Sequence, residues 1–177
     1  MSAFILGLDI SSTCVGYVAH AGAVRDHGVI RLDKTAWIGQ RCVAARDAVA
    51  AILDQYAVDC VVVESPVCRY AKAVIPQARV SGALLELAER RGIMAVEVTP
   101  SAAKLALAGD GAATKREMLQ AAAAHFGYEA DALAYIERRG DWMALTSGAG
   151  VYSEHEADAL GLCLAMVGKV EIHEAVL

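Results

Sequence analysis

Four side chains in this sequence stand where acid or imidazole chemistry needs a rigid support. Asp9 follows the apolar run Phe4-Ile5-Leu6-Gly7-Leu8, and Glu64 follows the run Cys60-Val61-Val62-Val63. A carboxylate at the end of a buried strand costs much free energy unless it is solvated, paired or bound to a cation. His155 and Asp158 lie three residues apart, so on a helix they share a face near its first turn, where two side chains can converge on one ion. Each has an ordinary alternative. Asp9 could cap the turn Ser11-Ser12-Thr13, and a His/Asp pair at this spacing can be purely structural.

The elements around these residues follow from local patterning. Phe4 to Leu8 and Cys14 to Ala19 read as two strands of a hairpin, with a third strand within Ala23 to Leu32. Apolar residues at 38, 42, 45, 49, 52, 53 and 56 recur at helical spacing, predicting a crossover helix over Ile38 to Tyr56. The next strand, Cys60 to Val63, then pairs parallel with the first, and Asp9 and Glu64 emerge at the same sheet edge.

Pro76 fits the first turn of a helix reaching Arg91, after an aperiodic loop from Ser65 to Ile75. That loop carries Arg69, Tyr70 and Lys72, a basic-aromatic set suited to phosphate contact and base stacking, although an ordinary surface loop can look the same. Ile93 to Val98 is a further strand. Thr99-Pro100 opens a short helix ending before Gly109, and Thr114-Lys115-Arg116-Glu117 is a capping box for a helix to Phe126. Lys104 and Lys115 thus flank one turn, either on a shared surface or as separate solvated lysines. Gly127 to Gly150 is the least legible stretch, with Ala130 to Arg138 expected to be helical. Ser153-Glu154-His155-Glu156 is a second capping box, so Glu156 is assigned to that cap.

Composition sets the bounds. A chain of 177 residues is long enough for one full core and short for two, so residues 1 to 177 are expected to form a single domain. The apolar fraction is 56%, yet no uninterrupted stretch reaches the length of a membrane span. No membrane partner is expected. The N-terminus lacks a basic region ahead of its apolar run, which predicts a cytoplasmic protein. Five cysteines, without a CxxC pair, argue against a disulfide framework or a structural zinc site. The net charge of -5 argues mildly against a nucleic-acid partner unless a basic face or metal ions offset the carboxylates.

In order and spacing these pieces resemble the RNase H-like superfamily and, more closely, RuvC-type Holliday junction resolvases. The resemblance runs from Ile5 to Ala165. It rests on GLDISSTCVGY, VVVESP, QARVSGALLELA, the lysines around GDGAATK, and HEADALGLCLA. It implies an α/β, RNase H-like fold: a five-stranded mixed β-sheet flanked by α-helices on both faces. It also implies a homodimeric, divalent-metal-dependent endonuclease that resolves four-way DNA junctions by paired nicks.

Carried onto this chain, Asp9 bridges two Mg2+ or Mn2+ ions, Glu64 holds one of them, and His155 and Asp158 hold the other. Lys104, grouped with these catalytic residues, and Lys115 match the family's basic residues near the scissile phosphate. Arg69, Tyr70 and Lys72 occupy its junction-probing loop. Three features depart from the family pattern: the acidic net charge, Ser65-Pro66 after Glu64, and a longer Gly127 to Gly150 segment. The remaining readings are an RNase H-like nuclease acting on RNA or on flapped or branched DNA, and a non-catalytic DNA-binding module. A sugar-kinase or actin-like ATPase is disfavoured because no second phosphate loop follows.

Overall fold

The computed structural model describes residues 2–65, 71–138, 140–146, 149–167 and 169–170, with only the backbone at 71–73 and 149. Its main sheet contains β1 (Ile5–Ile10), β2 (Cys14–His20), β3 (Val24–Arg31), β4 (Cys60–Glu64) and β5 (Met94–Val98), in the order β3-β2-β1-β4-β5. The first three form an antiparallel meander, whereas β4 lies parallel to both β1 and β5. The sheet is therefore mixed, and the crossover α1 (Ile38–Gln55) makes the parallel β1/β4 pairing possible.

Side-chain alternation divides the core into two layers. Leu6, Leu8, Val15, Val61 and Val63 point to one face, where they pack with Ala45, Val49 and Leu53 of α1 and with Val80 and Leu84 of α2 (Ala71–Arg90). Ile5, Val18, Cys60 and Val62 point to the other. That face is covered by α3 (Pro100–Ala108), α4 (Lys115–Ala122) and α5 (Glu154–Leu164). The period of two settles where the acids go. Asp9 shares its parity with Ile5, and Glu64 with Cys60 and Val62, so both strand acids belong to the α5 face.

Local end signals act as the sequence predicts for three helices. The Thr99 side chain accepts from the Ala102 amide, Pro100 starts α3, and Gly109 ends it in the left-handed region at φ 75°. The amide and hydroxyl of Thr114 donate to Glu117 at 2.7 Å each. The Ser153 amide and hydroxyl donate to Glu156 Oε2 at 2.8 and 2.9 Å.

Three expectations are corrected. The helix predicted from Pro76 begins at Ala71, with Pro76 inside it. As the sixth residue of the helix, Pro76 removes one internal amide donor, a loss that the rest of this 20-residue helix absorbs. Over Ala130 to Arg138 the structure has a single 3-10 turn (Ala130–Ala132) and then β6 (Ala134–Arg138). β6 pairs with β7 (Asp141–Thr146), which pairs with β8 (Ala149–Ser153), forming a second, antiparallel sheet. Its turn passes through Gly140 at φ 93°, a conformation that glycine adopts at little cost. The predicted α4 is also shorter: it ends at Ala122 and a 3-10 turn carries the chain to Phe126. Buried Ala144 and Tyr152 tie the second sheet to the core, and the Tyr152 hydroxyl donates to the Leu119 carbonyl at 2.8 Å.

Candidate metal centre

α5 lies directly on the sheet because glycine leaves room for it. A Cβ at Gly7 would collide with the Ala159 carbonyl, and one at Gly16 would stand 2.5 Å from the His155 carbonyl oxygen. Ala157, Ala159, Leu160, Leu162 and Cys163 are fully buried beneath this contact. Burial of Leu160 and Leu162 contributes about 1.5–3 kcal/mol each. That is enough to hold polar residues at the start of α5 against the sheet.

Those residues meet the strand acids. Asp9, paired across β1 and β2 with Gly16, is joined by its Oδ2 to Nδ1 of His155 at 2.7 Å. The hydrogen bond to Asp9, with one to Cys14 Sγ at 3.4 Å from Nε2, pushes the His155 pKa up to about 11 despite burial. Burial, then the nearby Asp9 charge, raises Glu64 to about 7, with Lys104 acting against both. Asp158 is raised in the same sense by burial and by the charges of Asp9, Glu64 and Glu154, and Lys115 opposes the rise. Glu64 and Asp158 thus hold protons tightly, because burial and then the neighbouring Asp9 charge disfavour their ionised forms. A concentration of negative charge with this effect is the electrostatic form of a divalent-cation site. The donors fit one: hard carboxylate oxygens with one imidazole suit Mg2+ or Mn2+.

The two lysines approach from different sides. Lys104 Nζ donates to the Ala113 carbonyl at 2.7 Å and acts on Glu64, whereas Lys115 Nζ is paired with Glu154 Oε1 at 2.6 Å and acts on Asp158. Arg69 and Tyr70 lie outside the described residues. Lys72 falls in the first turn of α2, and its side chain is outside them too.

Three participants escaped sequence reasoning. Glu154 is 4% exposed, and Asp141 Oδ1 lies 3.9 Å from His155 Nε2. Glu156 does more than cap its helix, since its Oε1 lies 2.6 Å from His27 Nδ1 of β3. A turn at Gly140 between two runs containing Tyr135, Ile136, Trp142 and Met143 is a hairpin signal that would have placed Asp141. Nothing local marks Glu154 or His27.

A mixed five-stranded sheet of this topology, with acids on β1, β4 and the helix crossing them, is an RNase H-like α/β fold. The family model described as "Crossover junction endodeoxyribonuclease RuvC" matches residues 5–125, and the chain belongs to that family. Among relatives bearing that name, the protein of Streptomyces avermitilis is 32% identical over 121 residues, covering 64% of this chain and 69% of its own. The Clavibacter sepedonicus protein is 29% identical over 176 residues, covering 91% and 86%. The Leifsonia xyli protein is 36% identical over 91 residues, covering 51% of this chain and 44% of its own length. The Thermus thermophilus RuvC structure superposes with a TM-score of 0.72 at 20% identity, covering 96% of both chains. The same protein in complex with a Holliday junction substrate gives 0.74 at 18% identity, again covering 96% of each.

Proposed function

We propose that this chain is a divalent-metal-dependent, structure-selective endodeoxyribonuclease that resolves four-way DNA junctions by paired nicks. The observation that supports the reading is the convergence of the strand acids with the first turn of α5: His155 Nδ1 lies 2.7 Å from Asp9 Oδ2, and the Asp9 charge, added to burial, raises both Glu64 and Asp158. Family membership supplies the substrate class: the relatives are named crossover junction endodeoxyribonucleases, and one relative's structure contains a Holliday junction.

In this reading two Mg2+ or Mn2+ ions would be held by Asp9, shared by both, by Glu64 for one, and by Asp158 with His155 for the other. Bound there, they would supply a nucleophile at neutral pH and stabilise the leaving oxygen of an in-line displacement. The chain's own residues place the phosphate. Lys104 and Lys115 bring positive charge to the two sides of the acidic pocket, where each offsets a carboxylate that would otherwise repel DNA. Arg69, Tyr70 and Lys72 contact the junction arms. The functional unit is a symmetric homodimer, because two coordinated nicks on a two-fold junction require two sites related by the same symmetry.

Purified protein incubated with Mg2+ and labelled four-way, forked, flapped, duplex and RNA/DNA substrates tests the assignment. Symmetric nicks confined to the four-way junction are expected. Preferential cutting of RNA/DNA hybrid or flaps would transfer the site to another branch of the fold, and binding without cleavage would make it a recognition module.

A further inference from the structure

The capping box that opens α5 is tied to β3, the edge strand two places from β1. Glu156 takes both Ser153 donors on Oε2, the amide at 2.8 Å and the hydroxyl at 2.9 Å, which leaves Oε1 for a residue outside the helix. His27 Nδ1 donates to it at 2.6 Å. His27 is the cross-strand partner of Val18, and residues directly opposite on paired strands share a face, so its imidazole stands on the side that α5 covers. Glu156 is 7% exposed, so water competes little for this bond and the loss of its partner is costly.

The imidazole is itself held in place. Phe126 packs on it with ring centroids 4.4 Å apart, and Tyr152 packs on Phe126 at 4.7 Å. Tyr152 is fixed in turn by its hydroxyl on the Leu119 carbonyl. A capping box alone is internal to its helix: it closes Ser153 onto Glu156 and moves with the turn as one body. Contact with a strand is what fixes that turn relative to the sheet. The turn carries His155, and Asp158 stands two residues beyond Glu156, whereas Asp9 belongs to β1. Gly16 lets α5 approach closely, but a steric allowance sets no direction. The bond from β3 does.

We propose that His27 is a positioning residue of the metal centre, a role that rests on His155 and Asp158 being metal ligands. Through Glu156 it locks the first turn of α5, so that both ligands meet Asp9 in the geometry that the ions require. His27 itself touches neither ion nor DNA. Partners one shell out from a ligand act on metal affinity by about 10–100-fold, and His27 acts through one residue more, which places its effect at the lower end.

Calorimetric titration of the full chain with Mn2+, without DNA, tests the role, with a thermal melt to show that each variant is folded. His27→Ala is expected to weaken Mn2+ binding about tenfold. His27→Asn, whose side-chain amide reaches the place of Nδ1, should recover most of that loss. In cleavage of a four-way junction, His27→Ala should need more Mn2+ for half-maximal rate, while the rate at saturating Mn2+ stays near wild type. Ile52→Val, in the opposite core layer, controls for lost stability: its melting temperature should fall and its Mn2+ isotherm should not change. Wild-type affinity in folded His27→Ala overturns the proposal, as does a loss that His27→Asn fails to recover. An equal loss in Ile52→Val also overturns it, because binding would then follow stability alone. Asp158→Asn separates this role from the reading beneath it. If Mn2+ binding is unchanged there, the nuclease centre is misassigned and the positioning role falls with it; if binding is lost there but intact in His27→Ala, only the positioning role falls.

Discussion

Gly16 and His155 touch backbone to backbone. Gly16 is the cross-strand partner of Asp9, and a methyl group added to it would lie 2.5 Å from the carbonyl oxygen and 2.6 Å from the Cβ of His155. The absence of one side chain on β2 thus sets how closely the imidazole approaches the Asp9 carboxylate.

Gly16→Ala is accordingly expected to push the first turn of α5 away from β2. Overpacking of this kind costs about 1–3 kcal/mol. The melting temperature should fall and Mn2+ affinity should fall with it, since His155 and Asp158 move together. An unchanged metal isotherm in the folded variant would mean that the contact supports the fold alone.

The acidic centre makes metal-free stability depend on pH in a defined direction. Glu64 holds its proton to about 7 in the native protein against an ordinary value of 4.5, so the native state binds the proton more tightly than the unfolded chain. Its contribution is complete below pH 4.5 and is lost as pH rises through 7. His155, raised to about 11 from 6.5, has the same sign over the next interval. In chelator, melting temperature should decline from pH 5 to pH 8, and Glu64→Gln should flatten that decline. Mg2+ should restore more at pH 8 than at pH 5. A slope identical in Glu64→Gln would detach the effect from this residue.

The lysines should separate in mutation. Both alanine variants are expected to weaken DNA binding alike across sequences and to lower the salt slope by about one. Lys115→Ala also strips the remaining partner from buried Glu154 and should lower the melting temperature, whereas Lys104→Ala releases only the Ala113 carbonyl. Equal melting temperatures would show that Glu154 does not depend on Lys115.

Asp9→Asn keeps the shape of the side chain and removes its charge. Cleavage should fall by about 10³-fold or more, because several kcal/mol of metal-derived stabilisation depends on that carboxylate. Junction binding without Mg2+ should hold or tighten, and the gain should shrink with salt as screening weakens the repulsion it relieves. Near-normal cleavage removes the bridging role; lost binding in a folded variant makes Asp9 a recognition residue.

What the sequence made legible was local or periodic. The caps at Thr99, Thr114 and Ser153 lie within a few residues of the amides they serve, and the Cys60 to Val63 run is β-branched enough to mark a buried strand. The shared sheet edge of Asp9 and Glu64 followed from the parallel pairing of β1 with β4. The β6 strand was misread because most of its residues are exposed, so no alternation of apolar and polar types records its sheet. Pro76 was given more weight as a helix start than the loss of one donor warrants. Asp141 differs: a hairpin signal could put it on β7, but its approach to His155 exists only after β7 has folded back beside α5, and for Glu154 it is the burial that no local pattern records.

The dependence of β1 on α5 also dates the nuclease centre within synthesis. Asp9 leaves the ribosome 146 residues before His155, and at about 5–20 residues per second that interval is roughly 7–30 s. Throughout it Gly7 lacks the α5 backbone that packs against it, and the strand acids have neither imidazole nor Asp158 beside them. A nascent chain therefore lacks the full set of proposed metal ligands until α5 emerges, and that one helix both buries the sheet and completes the set of acids.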